Sequence, residues 1–146
     1  MVHHLNEVRE VAFVLVDDSE LDGEVFRRAL VKHNLERPIH FVTDPTCAIA
    51  SLHEQLELRP NRSLIVFLDL NMPGVSGHDV LKEIRNDPKL ASSLVFVLTT
   101  SDHERDVRLA YSQNVAGYFT KANMDKLIEA MKPFAEGVLP PPVNLD

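Results

Sequence analysis

The chain has 146 residues, 45% of them hydrophobic and 25% charged, with a net charge of −7 at neutral pH. This is the size and composition of one soluble domain with its own core, and the acidic balance argues against a nucleic-acid surface, which needs clustered lysine and arginine. A single cysteine, Cys47, excludes an internal disulfide, no run approaches the ~18 apolar residues of a membrane span, and the first residues lack a signal peptide's apolar segment, so the expected location is the cytoplasm.

Residues 1–10 read as a polar lead-in. Ala12 to Val16 is a continuous apolar run that ends on Asp17 and Asp18. Ser19 offers an N-cap, and Leu21, Val25 and Ala29, widened by Phe26 and Leu30, form the apolar stripe of a helix that stops near His33-Asn34. Ile39 to Val42 is a short strand. Asp44 or Thr43 can cap the next helix, which has Pro45 in its first turn, Cys47 as a small core residue, and Ile49, Leu52 and Leu56 inward.

Leu64 to Leu68 is a second unbroken apolar run, as expected of a strand buried on both faces in a parallel sheet, and it ends on Asp69. Taken alone, Asp69 is either a turn or helix-capping acid, or a chemical group at the strand's carboxyl end, where open α/β sheets hold ligands. Asn71, Pro73 and Gly74 make a turn, and after Gly77 a helix carries Val80, Leu81 and Ile84 inward until Asn86-Asp87-Pro88. Leu94 to Leu98 is the fourth strand and closes on Thr99. A helix over 102–113 follows with Val107, Ala110 and Tyr111 inward, then a fifth strand, Ala116 to Thr120, which ends on Lys121. The last helix has Met124, Leu127, Ile128 and Met131 on one face, and Pro133 is expected to kink or end it.

The alternation is (βα)5. Right-handed crossovers make this a doubly wound α/β fold, a five-stranded parallel sheet with helices on both faces. The expected organisation is a lead-in at 1–10, one domain at 11–136 and a proline-rich tail at 137–146. Four strands finish on polar residues (Asp17-Asp18, Asp69, Thr99 and Lys121), and a parallel sheet brings these ends to one rim. Carboxylates ~4 Å apart repel by roughly 4 kcal/mol per pair at an effective dielectric near 20. Either some of them protonate or a divalent cation sits among them, and hard oxygen ligands open to water suit Mg²⁺. An ammonium and a hydroxyl aimed at the same point equip the rim to receive a phosphoryl group, with Asp69 as in-line nucleophile.

Over roughly residues 11–135 the chain resembles the CheY-like receiver domain of two-component response regulators, which implies a flavodoxin-like fold. The likeness rests on the acidic pair Asp17-Asp18, on Asp69 in Asp-Leu-Asn-Met-Pro-Gly, on Thr99 thirty residues further, and on Lys121 twenty-two beyond that. Tyr118 lies at the family's switch-aromatic position, although on residue type alone it is equally a half-buried sheet aromatic. The resemblance implies that Asp69 is the phosphoacceptor. It implies that Asp18, Asp69 and the backbone carbonyl of Asn71 bind Mg²⁺, with Asp17 acting through a metal-bound water. It further implies that Thr99 and Lys121 bind the phosphate, and that Thr99 and Tyr118 move on phosphorylation. Such a protein is a phosphoryl acceptor rather than an enzyme in the usual sense, able to catalyse its own phosphorylation and dephosphorylation.

The implied donor is a sensor histidine kinase. Asn-Asp-Pro-Lys-Leu, Leu-Thr-Thr-Ser and a late Leu-Pro-Pro look most like stand-alone regulators associated with bacterial phytochromes, with output by protein contact and neither nucleic acid nor membrane as partner. The apolar tail, Val138 to Asp146, is expected to support a homodimer by lying on a second copy. Two positions depart from the family: Ala122 replaces the usual cis-proline after the lysine, so a trans or a strained loop is expected, and Thr100 stands where many receivers have alanine. The competing readings are a Mg²⁺-dependent aspartyl-phosphate phosphatase, disfavoured by Asn71 where a second acid belongs, and a degenerate receiver acting as a phosphorylation-independent adaptor.

Overall fold

The structure is a computed structural model that describes residues 10–136; the start of the lead-in and the whole proline-rich tail, with its expected role in a dimer, lie outside the described residues. Five parallel strands form one sheet: β1 (Val11–Val16), β2 (Ile39–Val42), β3 (Ser63–Leu68), β4 (Leu94–Thr99) and β5 (Gly117–Thr120), in the order β2-β1-β3-β4-β5. The helices are α1 (Glu20–Lys32), α2 (Ala48–Leu58), α3 (Gly77–Asn86), α4 (Glu104–Ser112) and α5 (Met124–Ala135). The doubly wound (βα)5 architecture read from the sequence is therefore the one observed. Among the described residues no helix is long and apolar enough to cross a membrane.

The unbroken apolar runs follow from strand geometry. Successive side chains point to opposite faces, and both faces are covered. Val14, Val16, Val66, Leu68, Val95 and Val97 pack under α2, α3 and α4 with Leu52, Leu81 and Ile84. Phe13, Leu15, Ile65, Phe67, Phe96 and Leu98 pack under α1 and α5 with Phe26, Leu30, Leu127, Ile128 and Met131. The second face is the aromatic one: Phe67 meets Phe13 edge-on at 5.7 Å, Phe26 at 4.7 Å and Phe96 at 6.0 Å. Its bulk fixes the sheet whose strand ends form the site.

Several faces differ from the expected ones. In α1 the buried stripe is Gly23, Phe26 and Leu30, while Leu21 is 74% and Val25 46% exposed. The helix approaches the sheet at Gly23, where a Cβ would lie 3.1 Å from the Phe41 ring, and an apolar-residue pattern gives a glycine no weight. Cys47 is exposed rather than a core residue. A 3-10 turn, Pro45–Cys47, capped by Asp44 on Thr46 N, precedes α2 and puts the buried position at Ala48. Tyr111 is 50% exposed because α4 closes on the sheet through the small Ala110. Pro133 ends nothing at its own position; α5 continues to Ala135. Helix α1 stops on Asn34, at φ 59°, where Asn34 N and Leu35 N donate to the carbonyls of Val31 and Leu30 in a Schellman turn.

Candidate functional site

The strand register builds the site. Val16 pairs with Leu68, and Asp69 N donates to Val16 O at 3.0 Å, so the residues just past β1 and β3 are neighbours. Asp17 and Asp69 are each 3% exposed; Asp18 is exposed. Ligand oxygens of Asp17, Asp18 and Asp69 lie within 4.8 Å of one another. Both buried carboxylates are oriented by local turns: Asp17 Oδ1 accepts from Ser19 N at 2.9 Å, and Asp69 Oδ1 accepts from Asn71 N at 3.2 Å. The turn after Asp69 is held by Gly77, the first residue of α3, whose N–H donates to Leu70 O. A Cβ there would lie 2.6 Å from Leu70 Cα and closer still to the Asp69 carbonyl oxygen, so only glycine lets α3 start against the site.

Lys121 follows β5, at the far edge of the sheet, and its side chain crosses the rim. Its Nζ lies 2.8 Å from Asp17 Oδ2, 2.6 Å from Asp22 Oδ2 and 3.4 Å from Asp69 Oδ2. The peptide bond to Ala122 is trans, as are all those described, so the missing proline leaves Lys121 within reach of the acids. Burial alone would lower the affinity of the Lys121 ammonium for its proton. The hydrogen bonds with Asp17 and Asp22 and the charge of Asp69 outweigh it, holding the group well above the ordinary lysine range. Burial pushes the Asp17 carboxyl up, against the opposing hydrogen bond from Lys121.

Thr99, the last residue of β4, is fully buried at the same rim, and its Oγ1 faces Ser101 N at 3.5 Å. Tyr118 on β5 is half-buried, and its hydroxyl donates to Ser101 O at 2.8 Å. Burial raises its pKa. Ser101 is the junction of a network that sequence reasoning missed. Its Oγ donates to Asp106 Oδ2 at 2.5 Å and accepts from His103 N at 3.3 Å, while Asp106 Oδ1 meets His78 Nε2 of α3 at 2.9 Å. His78 and Asp106 line an open cleft of about 480 Å³ together with His103, Glu104, Arg105 and Leu109. Asp22 was missed as well, since an acid in the first turn of a helix reads as an ordinary capping residue.

Three carboxylates (Asp17, Asp22 and Asp69) thus surround one ammonium, and Asp18 stands beside Asp17 and Asp69 in the acidic cluster. Asp17, Asp18 and Asp69 form a hard-oxygen set, with Asp18 open to water, the donor chemistry that suits a divalent cation such as Mg²⁺ or Mn²⁺.

The family model for the response regulator receiver domain matches residues 13–132. Response regulator Rcp1 of Synechocystis sp. is 33% identical over 129 residues, which are 83% of this chain and 86% of Rcp1. A Mn(2+)-bound crystal structure of Rcp1 superposes with TM-score 0.71 at 31% identity, covering 92% of this chain and 99% of that one. The phosphorylated cyanobacterial phytochrome response regulator RcpA gives TM-score 0.73 at 30% identity, over 90% of this chain and 97% of that one. Bacteriophytochrome response regulator RtBRR gives 0.70 at 27% identity, over 94% and 83%. With its five-stranded doubly wound sheet and an acidic rim at the strand ends, this chain belongs to the response regulator receiver domain family of two-component signalling.

Proposed function

We propose that Asp69 is the phosphoacceptor of this receiver and that its donor is a phosphohistidine on a sensor histidine kinase of the phytochrome type. The observation that carries the reading is the Lys121 ammonium shared between the buried Asp17 and Asp69 carboxylates at 2.8 and 3.4 Å, beside an oxygen cluster fit for a cation. A carboxylate oxygen of Asp69 attacks phosphorus in line. The new C–O–P linkage forms as the P–N bond to the donor imidazole breaks, and the leaving nitrogen keeps the electron pair. Lys121 neutralises charge on the equatorial oxygens, and the Thr99 hydroxyl donates to one of them. Asp18, Asp69 and the carbonyl of Asn71 would hold Mg²⁺, with Asp17 reaching it through water; the ion supplies charge neutralisation at the phosphoryl oxygens.

The phytochrome link is supported by the likeness to Rcp1, RcpA and RtBRR. Output is a change in protein contacts at the surface around Tyr118, a population shift biased by phosphate contacts. A kinase donor of this kind supports a cytoplasmic location for the chain. The same site has the parts to catalyse its own phosphorylation from small donors and its own hydrolysis. Incubation with Mg²⁺ and acetyl phosphate tests the reading by intact-protein mass spectrometry. A labile gain of one phosphoryl group, absent from Asp69→Asn and from wild type incubated with chelator in place of Mg²⁺, is the expected result; an equal gain in Asp69→Asn overturns the assignment.

A further inference from the structure

The tightest partner of Lys121 is not on a strand tip. Asp22 is the third residue of α1, after the N-cap Ser19. An acid at that place ordinarily turns back to the backbone N–H of the cap residue and closes a capping box. Here that N–H is already taken: Ser19 N donates to Asp17 Oδ1 at 2.9 Å, while Ser19 Oγ accepts from Asp22 N at 3.1 Å. Asp17 therefore satisfies the donor that Asp22 would have served. The Asp22 carboxylate, 37% exposed, turns instead to the ammonium of Lys121 at 2.6 Å.

This arrangement resolves a competition. The other two partners of Lys121, Asp17 Oδ2 and Asp69 Oδ2, belong to the cluster of three acids that suits a divalent cation. Ammonium and cation want the same buried carboxylates. A lysine with no other partner would have to be stripped of its ion pairs when the cation arrives, although its side chain is only 16% exposed. Asp22 lies outside the cluster and offers that other partner.

We propose that Asp22 is a positioning residue that holds the Lys121 ammonium on the α1 side of the site, freeing the Asp17 and Asp69 carboxylates for a divalent cation. Asp22 touches neither the cation nor the phosphoryl group; it acts through Lys121. The inference rests on the acceptor reading above.

The test is a set of calorimetric titrations with Mg²⁺ alone on the full chain: wild type, Asp22→Asn, Asp22→Glu, Lys121→Ala and the Asp22→Asn/Lys121→Ala double variant. Asp22→Asn is expected to weaken Mg²⁺ binding about tenfold, a typical coupling between residues in contact. In the Lys121→Ala background the same change is expected to alter Kd by less than about twofold, and Asp22→Glu is expected to restore most of the affinity. Comparing the two backgrounds cancels any common loss of fold, which thermal melts of each variant monitor. Equal weakening in both backgrounds would make Asp22 only a distant source of negative field, and an unchanged Kd in the single variant would remove it from the site. Either result overturns the proposal while leaving the acceptor reading intact. Failure of the wild type to bind Mg²⁺ sinks both.

Discussion

Replacing Asp17 with asparagine is expected to stabilise the fold. Asp17 is buried and shares the rim with Asp18 and Asp69, ligand oxygens within 4.8 Å. At such distances and an effective dielectric near 20, each like-charge pair costs roughly 3 to 4 kcal/mol, and the Lys121 contact returns roughly 5 to 6 kcal/mol. Repulsion and attraction nearly cancel, and Lys121 keeps Asp22 and Asp69 when Asp17 is neutral. The desolvation of the carboxylate therefore decides the sign. An asparagine of the same shape escapes it, for a net gain of about 1 to 2 kcal/mol and a rise in Tm of about 3 to 6 °C.

The pH dependence gives a second check. Burial raises the folded-state pKa of Asp17 above its ordinary 3.8, so the proton favours the fold. Its stabilising contribution is present below the ordinary value and lost as pH rises through the folded one. The difference between variant and wild type should then open at neutral pH and close in acid. Circular dichroism melts in chelator at about pH 7 and about pH 3 measure both. A variant that melts below wild type at neutral pH would refute the reasoning, because the Lys121 attraction would then outweigh desolvation. Added Mg²⁺ should raise the wild-type Tm by mass action and that of the variant less.

Gly77→Ala is expected to lower stability by about 2 to 3 kcal/mol, because its Cβ meets backbone at Leu70 and Asp69; urea midpoints measure this, and acetyl phosphate labelling should fall with the displaced acceptor turn. Arg85→Met should cost about 2 to 3 kcal/mol with labelling unchanged, since the Arg85 guanidinium ties the carbonyls of Gln113, Asn114, Ala91 and Ser93 together at the α4 end of the sheet. The Asp106 carboxyl is held below its ordinary 3.8 by hydrogen bonds from Ser101 and His78. A depressed acid stabilises above the ordinary value and loses that contribution as pH falls through the folded one, so between about pH 5 and pH 2 the urea midpoint of Asp106→Asn should fall less than that of wild type.

The legible part of the molecule was the part governed by chain connectivity. Three unbroken apolar runs, each closing on a polar residue, were enough to place Asp17, Asp69 and Thr99 on one rim, because a parallel sheet allows the carboxyl ends no other place. Faces of helices were harder. Leu21 and Val25 were expected inward because apolar spacing ignores Gly23, whose missing side chain is what sets the closest approach to Phe41. Cys47 was misplaced by a single residue of helix start. The partners Asp22, Ser101, Asp106 and His78 left no sequence signal. Each is an ordinary capping or surface residue by type, and its role depends on a contact with another element: α1 with the β5 end for Asp22, and α3 with the start of α4 for His78 and Asp106.

If Asp69 takes the phosphoryl group as proposed, those unread contacts offer a route from the rim to the surface. Four residues, 100–103, separate β4 from α4, and Ser101 among them meets every neighbour that matters: Thr99 at the rim through its N–H, Tyr118 through its carbonyl, and Asp106 through its hydroxyl. On that reading, a Thr99 hydroxyl drawn toward a phosphate on Asp69 would give up its contact with Ser101 N and pull the backbone on which the Tyr118 hydroxyl rests. The Asp106–His78 pair ties the same loop to α3, so the loop cannot follow Thr99 without loading that link. Tyr118 and the cleft between α3 and α4 would then be two readouts of one displacement. The response should be graded by how strongly His78 holds Asp106, a quantity set at the surface and separable from the chemistry at the rim.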